Sequence, residues 1–289
     1  MPENAAQPVA SSAAPRWRMS DLDFDAIDRS RVAQDPFVFR VVFLASLVET
    51  GADLYSRNLV EYFAGDDELG GWLATSWEPE EVQHGRALRA YVERAWPEVD
   101  WQHTYEEFFA SYSRTCTLED LEPTQALELA ARCMVETGTA TLYGALHRYA
   151  REPVLKDLAG RIYADEVRHY KYFYRHFRRY QARAHHPRHQ VARVLFSRLV
   201  ETRTGDGYHA FRALMGNDAC DEAMVDARYR EFTREFSGFV LRNAPAGLSV
   251  RMGLKPLDLP PSIEGGITRH AAPIYRLWVG GAPTAAAQA

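Results

Sequence analysis

Cysteine is scarce in this sequence. Cys116, Cys133 and Cys220 stand far apart and in odd number, which excludes a disulfide framework and any Cys-x-x-Cys metal or redox pair and makes a reducing cytoplasm the expected setting. Long hydrophobic runs are missing too. The longest apolar stretch, Val41 to Val48 around Ser46, falls far short of the roughly 20 residues that cross a bilayer, so no membrane span is expected. The N-terminus shows no cationic segment followed by an apolar one, and no export signal is expected either. No segment alternates polar and apolar residues in the manner of a strand, which speaks against a sheet. What is there is an ordinary globular composition: 46% hydrophobic and 25% charged residues over 289 positions exclude disorder and collagen-like repeats and allow a sizeable core. The formal net charge of −5 gives no reason to expect a nucleic-acid partner.

Residues 1–16 are rich in Ala, Ser and Pro and cannot repay the cost of ordering, so a disordered tail is expected. Thereafter apolar residues recur at helical spacing. One long helix is expected from Pro36 to Ala64, with Phe37, Val41, Leu44, Leu47, Leu54 and Leu59 on its apolar side. Further helices are expected from near Glu80 to Trp96, over His103 to Arg114, from Pro123 to Arg151, and from Pro153, at a first-turn position, to about Ala184 before Pro187. Gln190 to Thr204 and Glu222 to Arg242 add two more. From residue 244 to 289 the prolines and glycines accumulate, which predicts an irregular wrap rather than a separate domain. A metal-binding bundle over about 36–184 within one helical domain, 17–243, is the expected organisation.

Two of the long helices carry Glu-x-x-His, as Glu81-Val82-Gln83-His84 and Glu166-Val167-Arg168-His169. A spacing of three puts carboxylate and imidazole on one helix face, where both can hold the same ion. A single match of this kind means little. The other two long helices, however, each place one Glu in an apolar run, Glu49 in VFLASLVETGADLY and Glu136 in LAARCMVETGTATLY, and an ionised carboxylate there is costly without a partner. The order Glu, Glu-x-x-His, Glu, Glu-x-x-His is an internal duplication of a ligand pattern. Folded as a bundle, the chain would turn four carboxylates and two imidazoles inward, the donor set of a binuclear site. Oxygen and imidazole donors without thiolate suit iron or manganese.

At these residues the chain resembles the ferritin-like di-iron oxidases, and most closely the soluble acyl-carrier-protein desaturases. The resemblance rests on Glu80-Glu81-Val82-Gln83-His84-Gly85, Asp165-Glu166-Val167-Arg168-His169 and the flanking WLATSWEPEE of residues 72–81. It implies an all-α, ferritin-like four-helix bundle with additional C-terminal helices, and metal ligation by Glu49, Glu81, His84, Glu136, Glu166 and His169. It further implies that Thr139 lies beside the oxygen-binding face as a catalytic residue, and that Asp165 accepts a hydrogen bond from a ligand imidazole, His84.

The expected function is therefore an O2-dependent oxidoreductase with two iron ions, or manganese, that attacks an unactivated C–H bond of a fatty-acyl-type substrate by desaturation or hydroxylation. Dioxygen takes four electrons and desaturation supplies two, so an external donor, a ferredoxin or reductase, is expected as a partner. Other readings stay open: an aldehyde-deformylating oxygenase, an oxidase like the small subunit of ribonucleotide reductase with a tyrosine near the metals (Tyr55, Tyr143, Tyr163 or Tyr170), and ferritin-like iron storage. A stretch from Arg168 to Val200 holds many Lys and Arg and no acidic residue. This predicts a docking face, with Arg175, Arg178, Arg179 and Arg183, for acyl carrier protein or an acyl thioester. A homodimer is expected by analogy with similar bundles.

Overall fold

In the computed structural model the residues described are 16–201, 205–216, 221–270 and 273. The expected N-terminal tail, apart from Arg16, and most of the last 19 residues lie outside them. Every regular element among the described residues is helical. A four-residue α1 (Arg29–Val32) precedes α2 (Pro36–Thr50), α3 (Ala52–Tyr62) and α4 (Asp67–Trp72), which runs through a π-helical turn at Leu73–Trp77 into α5 (Glu78–Ala95). Then follow α6 (Trp101–Tyr112), α7 (Gln125–Tyr149), α8 (Pro153–Ala184), α9 (Arg188–Glu201), α10 (Asp206–Met215), α11 (Glu222–Asn243), α12 (Ala246–Leu254) and α13 (Pro261–Arg269).

The ends of the long helices follow local chemistry. Asp35 caps α2 by accepting from the Val38 amide at 3.0 Å, ahead of Pro36 in the first turn. Glu152 caps α8 by accepting from the amides of Val154 and Leu155, and Pro153 takes the position whose N–H would have no partner. His185, in the left-handed region at φ 52°, ends α8 two residues before Pro187.

The four-helix bundle consists of α2, α5, α7 and α8. Its buried apolar side chains form two clusters, one around Phe43, Leu47, Leu88, Tyr91, Tyr143 and Leu158, the other around Leu59, Leu73, Trp77, Leu129, Phe173 and Phe177. From α2 into α3, and along α8, the chain passes from the first cluster to the second; from the π-helical turn into α5, and along α7, it passes from the second to the first. The helices therefore pack as antiparallel pairs, α2 with α5 and α7 with α8, and Glu49, Glu81, His84, Glu136, Glu166 and His169 all fall at the junction of the two clusters.

Two glycines set the geometry there. A Cβ on Gly85 would lie 2.8 Å from the backbone of Thr50 and 2.9 Å from the carbonyl carbon of Glu49, so only Gly lets α5 approach α2 this closely. Gly51 separates α2 from α3 at φ −79° and ψ −7°, and the aromatic rings of Phe108 and Tyr112 on α6 pack against it. The single helix expected over 36–64 is thus two, divided at Gly51, two residues beyond Glu49.

The C-terminal stretch expected to be irregular is helical over 246–254 and 261–269, with a short 3-10 turn between. Pro245, Pro260 and Pro261 sit at helix starts and Pro256 in that turn, where a missing N–H costs little. Helix α12 docks on the bundle through a Thr141 hydroxyl bonded to Ser249 at 2.7 Å and a Tyr170 hydroxyl bonded to the Met252 carbonyl at 2.7 Å. Helix α10 was not expected from the sequence. The expected helix over 190–204 begins at Arg188 and is described to Glu201, residues 202–204 lying outside the described set.

Candidate metal centre

One helix contributes Glu49, the next Glu81 and His84, the third Glu136, the fourth Glu166 and His169. All six side chains are buried, the two imidazoles completely. They form two groups, Glu49, Glu81, His84 and Glu166, and Glu81, Glu136, Glu166 and His169, in each of which the donor atoms lie within 4.8 Å of one another. Glu81 and Glu166 belong to both. His84 Nδ1 is 3.3 Å from Glu166 Oε1, and His169 Nδ1 is 3.0 Å from Glu81 Oε1 and 3.6 Å from Glu136 Oε2.

These six residues fit a pair of cations better than they fit one another. Glu81 Oε1, His84 Nδ1, Glu136 Oε2, Glu166 Oε1 and His169 Nδ1 are all buried and none has a hydrogen-bond partner, a condition that costs roughly 1–3 kcal/mol for each atom left unsatisfied. Five such atoms converging on one place, from buried carboxylates and imidazoles, are the donor set that divalent ions satisfy. The buried groups could hold two metal ions.

The far side of each imidazole is engaged. His84 Nε2 lies 3.1 Å from Asp165 Oδ2, and His169 Nε2 lies 2.7 Å from Glu80 Oε2. Each Glu-x-x-His helix thus orients the other helix's imidazole through the acid that precedes its own Glu, which leaves both Nδ1 atoms facing the carboxylates. Arg168 joins the two supports, donating to Asp165 at 2.7 Å and to Glu80 at 2.6 Å. The Trp17 indole donates to Asp165 at 2.7 Å from outside the bundle.

Hydroxyls on α7 hold two of the carboxylates. Tyr143 Oη donates to Glu49 Oε1 at 2.5 Å, and Thr139 Oγ1 donates to Glu166 Oε2 at 2.7 Å. The Thr139 side chain, expected beside the oxygen-binding face, is half-buried and touches a candidate ligand directly.

No family model matches the chain, and no curated protein matches it. Among solved structures it is similar to a variant of an R2-like ligand-binding oxidase with aerobically reconstituted Mn/Fe cofactor, at 13% sequence identity and a TM-score of 0.47, over 91% of this chain and 89% of that one. A likeness at that level says nothing about chemistry.

The crowding of buried acids and imidazoles shifts their proton affinities. Burial, with the charges of Glu81 and Glu166, raises Glu49 well above the ordinary carboxylate range; burial and Glu166 do the same to Glu136. Burial disfavours charge on His84, but Asp165 and Glu166 outweigh it and raise that imidazole well above 6.5. His169 behaves alike, with Glu136, Glu80 and Glu81 outweighing burial. Burial also pushes Glu166 upward, yet the neighbouring His84 brings it down to about 2. Two imidazolium charges therefore offset part of the carboxylate charge.

Several functional groups escaped sequence reasoning. Glu80 carries the same signal as Asp165, an acid immediately before the motif Glu, and the symmetry of the two motifs could have assigned it. Tyr143 is one of the four tyrosines expected near the metals, two helical turns beyond Glu136 on the same face, but nothing in the sequence singles it out as the one that reaches Glu49. Arg168, which opens the basic run in the sequence, belongs to the centre.

Three arginines of the expected docking face are ion-paired within the chain. Arg175 pairs with Glu68 at 2.8 Å, Arg178 with Asp258 at 3.2 Å, and Arg179 with Asp66 and, at 2.7 Å, with Glu68. The acids come from distant parts of the chain, so a segment that looks bare in sequence is partly paired in space. Of the four arginines proposed for docking, Arg183 alone has no ion pair among the described residues.

Proposed function

We propose that the chain is an O2-dependent oxidase with two transition-metal ions, iron or manganese, acting on an unactivated C–H bond, and that its substrate is of the fatty-acyl type. The observation that carries the reading is the pair of buried donor groups sharing Glu81 and Glu166. Two such ions, when bound, supply the reduction of O2 and the oxidation of a C–H bond that no side chain can perform alone. The residues supply the rest. Glu80 and Asp165 fix the tautomer and plane of the two imidazoles, so that Nδ1 is the free nitrogen on each. The apolar clusters above and below exclude water from the carboxylates. Thr139 holds a proton at Oγ1 against Glu166 Oε2, where it can be passed inward. Electrons come from outside, from a ferredoxin or reductase, since the substrate supplies only two of the four that O2 takes.

The free thiols of Cys116 and Cys133 suit a reducing cytoplasm, and no helix among the described residues is long and apolar enough to cross a membrane. A second reading, an R2-like oxidase that oxidises its own tyrosine, draws support from the buried Tyr143 hydroxyl against Glu49. One experiment separates the two. Protein loaded with Fe(II) without oxygen is given O2, a reductant and an acyl thioester, then examined by mass spectrometry of the acyl chain and by electron paramagnetic resonance. Loss of two hydrogens or gain of one oxygen in the acyl chain supports the proposal; a tyrosyl signal with an unchanged acyl chain favours the second reading; neither change overturns both.

A further inference from the structure

The two halves of the centre are not equivalent. Val-Glu-Thr-Gly occurs at 48–51 and again at 135–138, followed by Leu-Tyr at 54–55 and 142–143. The second copy has one more residue between Gly and Leu, and its helix continues straight through Gly138, whereas the first breaks at Gly51. The two tyrosines consequently point to different acids. Tyr143 crosses the bundle to Glu49 Oε1 at 2.5 Å, while Tyr55 donates to Glu128 Oε1 at 2.9 Å, beside Arg132 and away from the six donors. Glu136, the counterpart of Glu49, has no such tether, and its Oε2 is buried without a hydrogen-bond partner.

We infer that Tyr143 is a positioning residue that makes the two ion sites unequal, so that the group of Glu49, Glu81, His84 and Glu166 fills before the group of Glu81, Glu136, Glu166 and His169. The inference rests on the di-metal reading above. A carboxylate already held in one orientation loses less freedom when it takes an ion than a free one does. Thr139 holds Glu166, which both groups share, and Tyr143 holds Glu49, the one carboxylate that belongs to the first group alone. In the second, the corresponding carboxylate, Glu136, faces His169 at 3.6 Å and has no hydroxyl donor among the described residues. The Tyr143 ring is fully buried in the first apolar cluster, so its hydroxyl cannot swing away.

The test is an oxygen-free titration of the metal-free protein with Mn(II), followed by the paramagnetic resonance of unbound Mn(II). The wild type is expected to bind in two resolved steps. Tyr143→Phe, which keeps the ring, should weaken the first step by about 10- to 100-fold, the range seen when a partner of a ligand is removed, and leave the second unchanged. Tyr55→Phe should alter neither, and Glu136→Gln should abolish the second step while keeping the first. Two equal steps in the wild type, an equal loss at both steps in Tyr143→Phe, no loss at either, or a first step lost in Glu136→Gln would each overturn the inference and leave the di-metal reading standing. No Mn(II) bound at all would overturn both.

Discussion

Replacing Gly85 by alanine tests how the centre is built. The new Cβ would sit 2.8 Å from the Cα and N of Thr50, and bringing that contact out to 3.4 Å needs about 0.6 Å of separation between α2 and α5, because a backbone cannot rotate aside as a side chain can. Gly138 supplies the control. It lies within a helix as Gly85 does, but a Cβ there meets nothing within 4 Å, so both substitutions gain the same helix preference of up to about 1 kcal/mol and only one suffers the clash. The two variants should differ by about 1–3 kcal/mol in the stability of the metal-free protein, with Gly85→Ala the weaker. In calorimetry that is about 2–4 °C per kcal/mol for a chain of this size class. The same displacement moves Glu49 away from Glu81 and His84, and ligand distances tolerate only about 0.2 Å. Gly85→Ala should therefore lose the ion held by Glu49 while Gly138→Ala keeps two per chain. If Gly85→Ala melts with Gly138→Ala and binds both ions, the close approach of α2 and α5 is not what shapes the centre.

Two further outcomes follow from the same geometry. Because Glu49, Glu136, His84 and His169 all have raised pKa values without metal, their protons stabilise the metal-free fold fully below the unfolded values near 4.5 and 6.5. That stabilisation fades as pH rises through the folded values. Metal must displace these protons, so the rise in melting temperature on adding Mn(II) should grow between pH 6 and pH 8, and calorimetry in buffers of different ionisation heat should find up to about four protons released; a shift that shrinks with pH contradicts this. Arg168→Met removes the bridge between Asp165 and Glu80 and should weaken Mn(II) binding at both sites by about 10-fold or more, measured by competition with a chelator, whereas unchanged affinity would show that the imidazoles need no such support.

How much of this was legible in the sequence depended on how local each cause is. The limits of α8 were readable because Pro153 and Pro187 bracket it. The six donors were readable because Glu-x-x-His and a Glu in an apolar run are each costly patterns, and they recur in bundle order; the structure brings all six together. The break at Gly51 was not readable, since the same four residues pass unbroken through Gly138; the surroundings differ only in space, with Phe108 and Tyr112 of α6 beside Gly51 and nothing within 4 Å of a Cβ on Gly138. Nor were the ion pairs of Arg175, Arg178 and Arg179, whose acids lie at 66, 68 and 258. Helix α12 was hidden for another reason: prolines tolerated at helix starts resemble prolines that prevent helices.

The most direct measurement is anomalous diffraction from crystals loaded with Mn(II) in the absence of oxygen, recorded on both sides of the manganese absorption edge. Two peaks per chain are expected, one among Glu49, Glu81, His84 and Glu166 and one among Glu81, Glu136, Glu166 and His169. A map without a peak at either place, or with manganese only on surface carboxylates, would contradict the account.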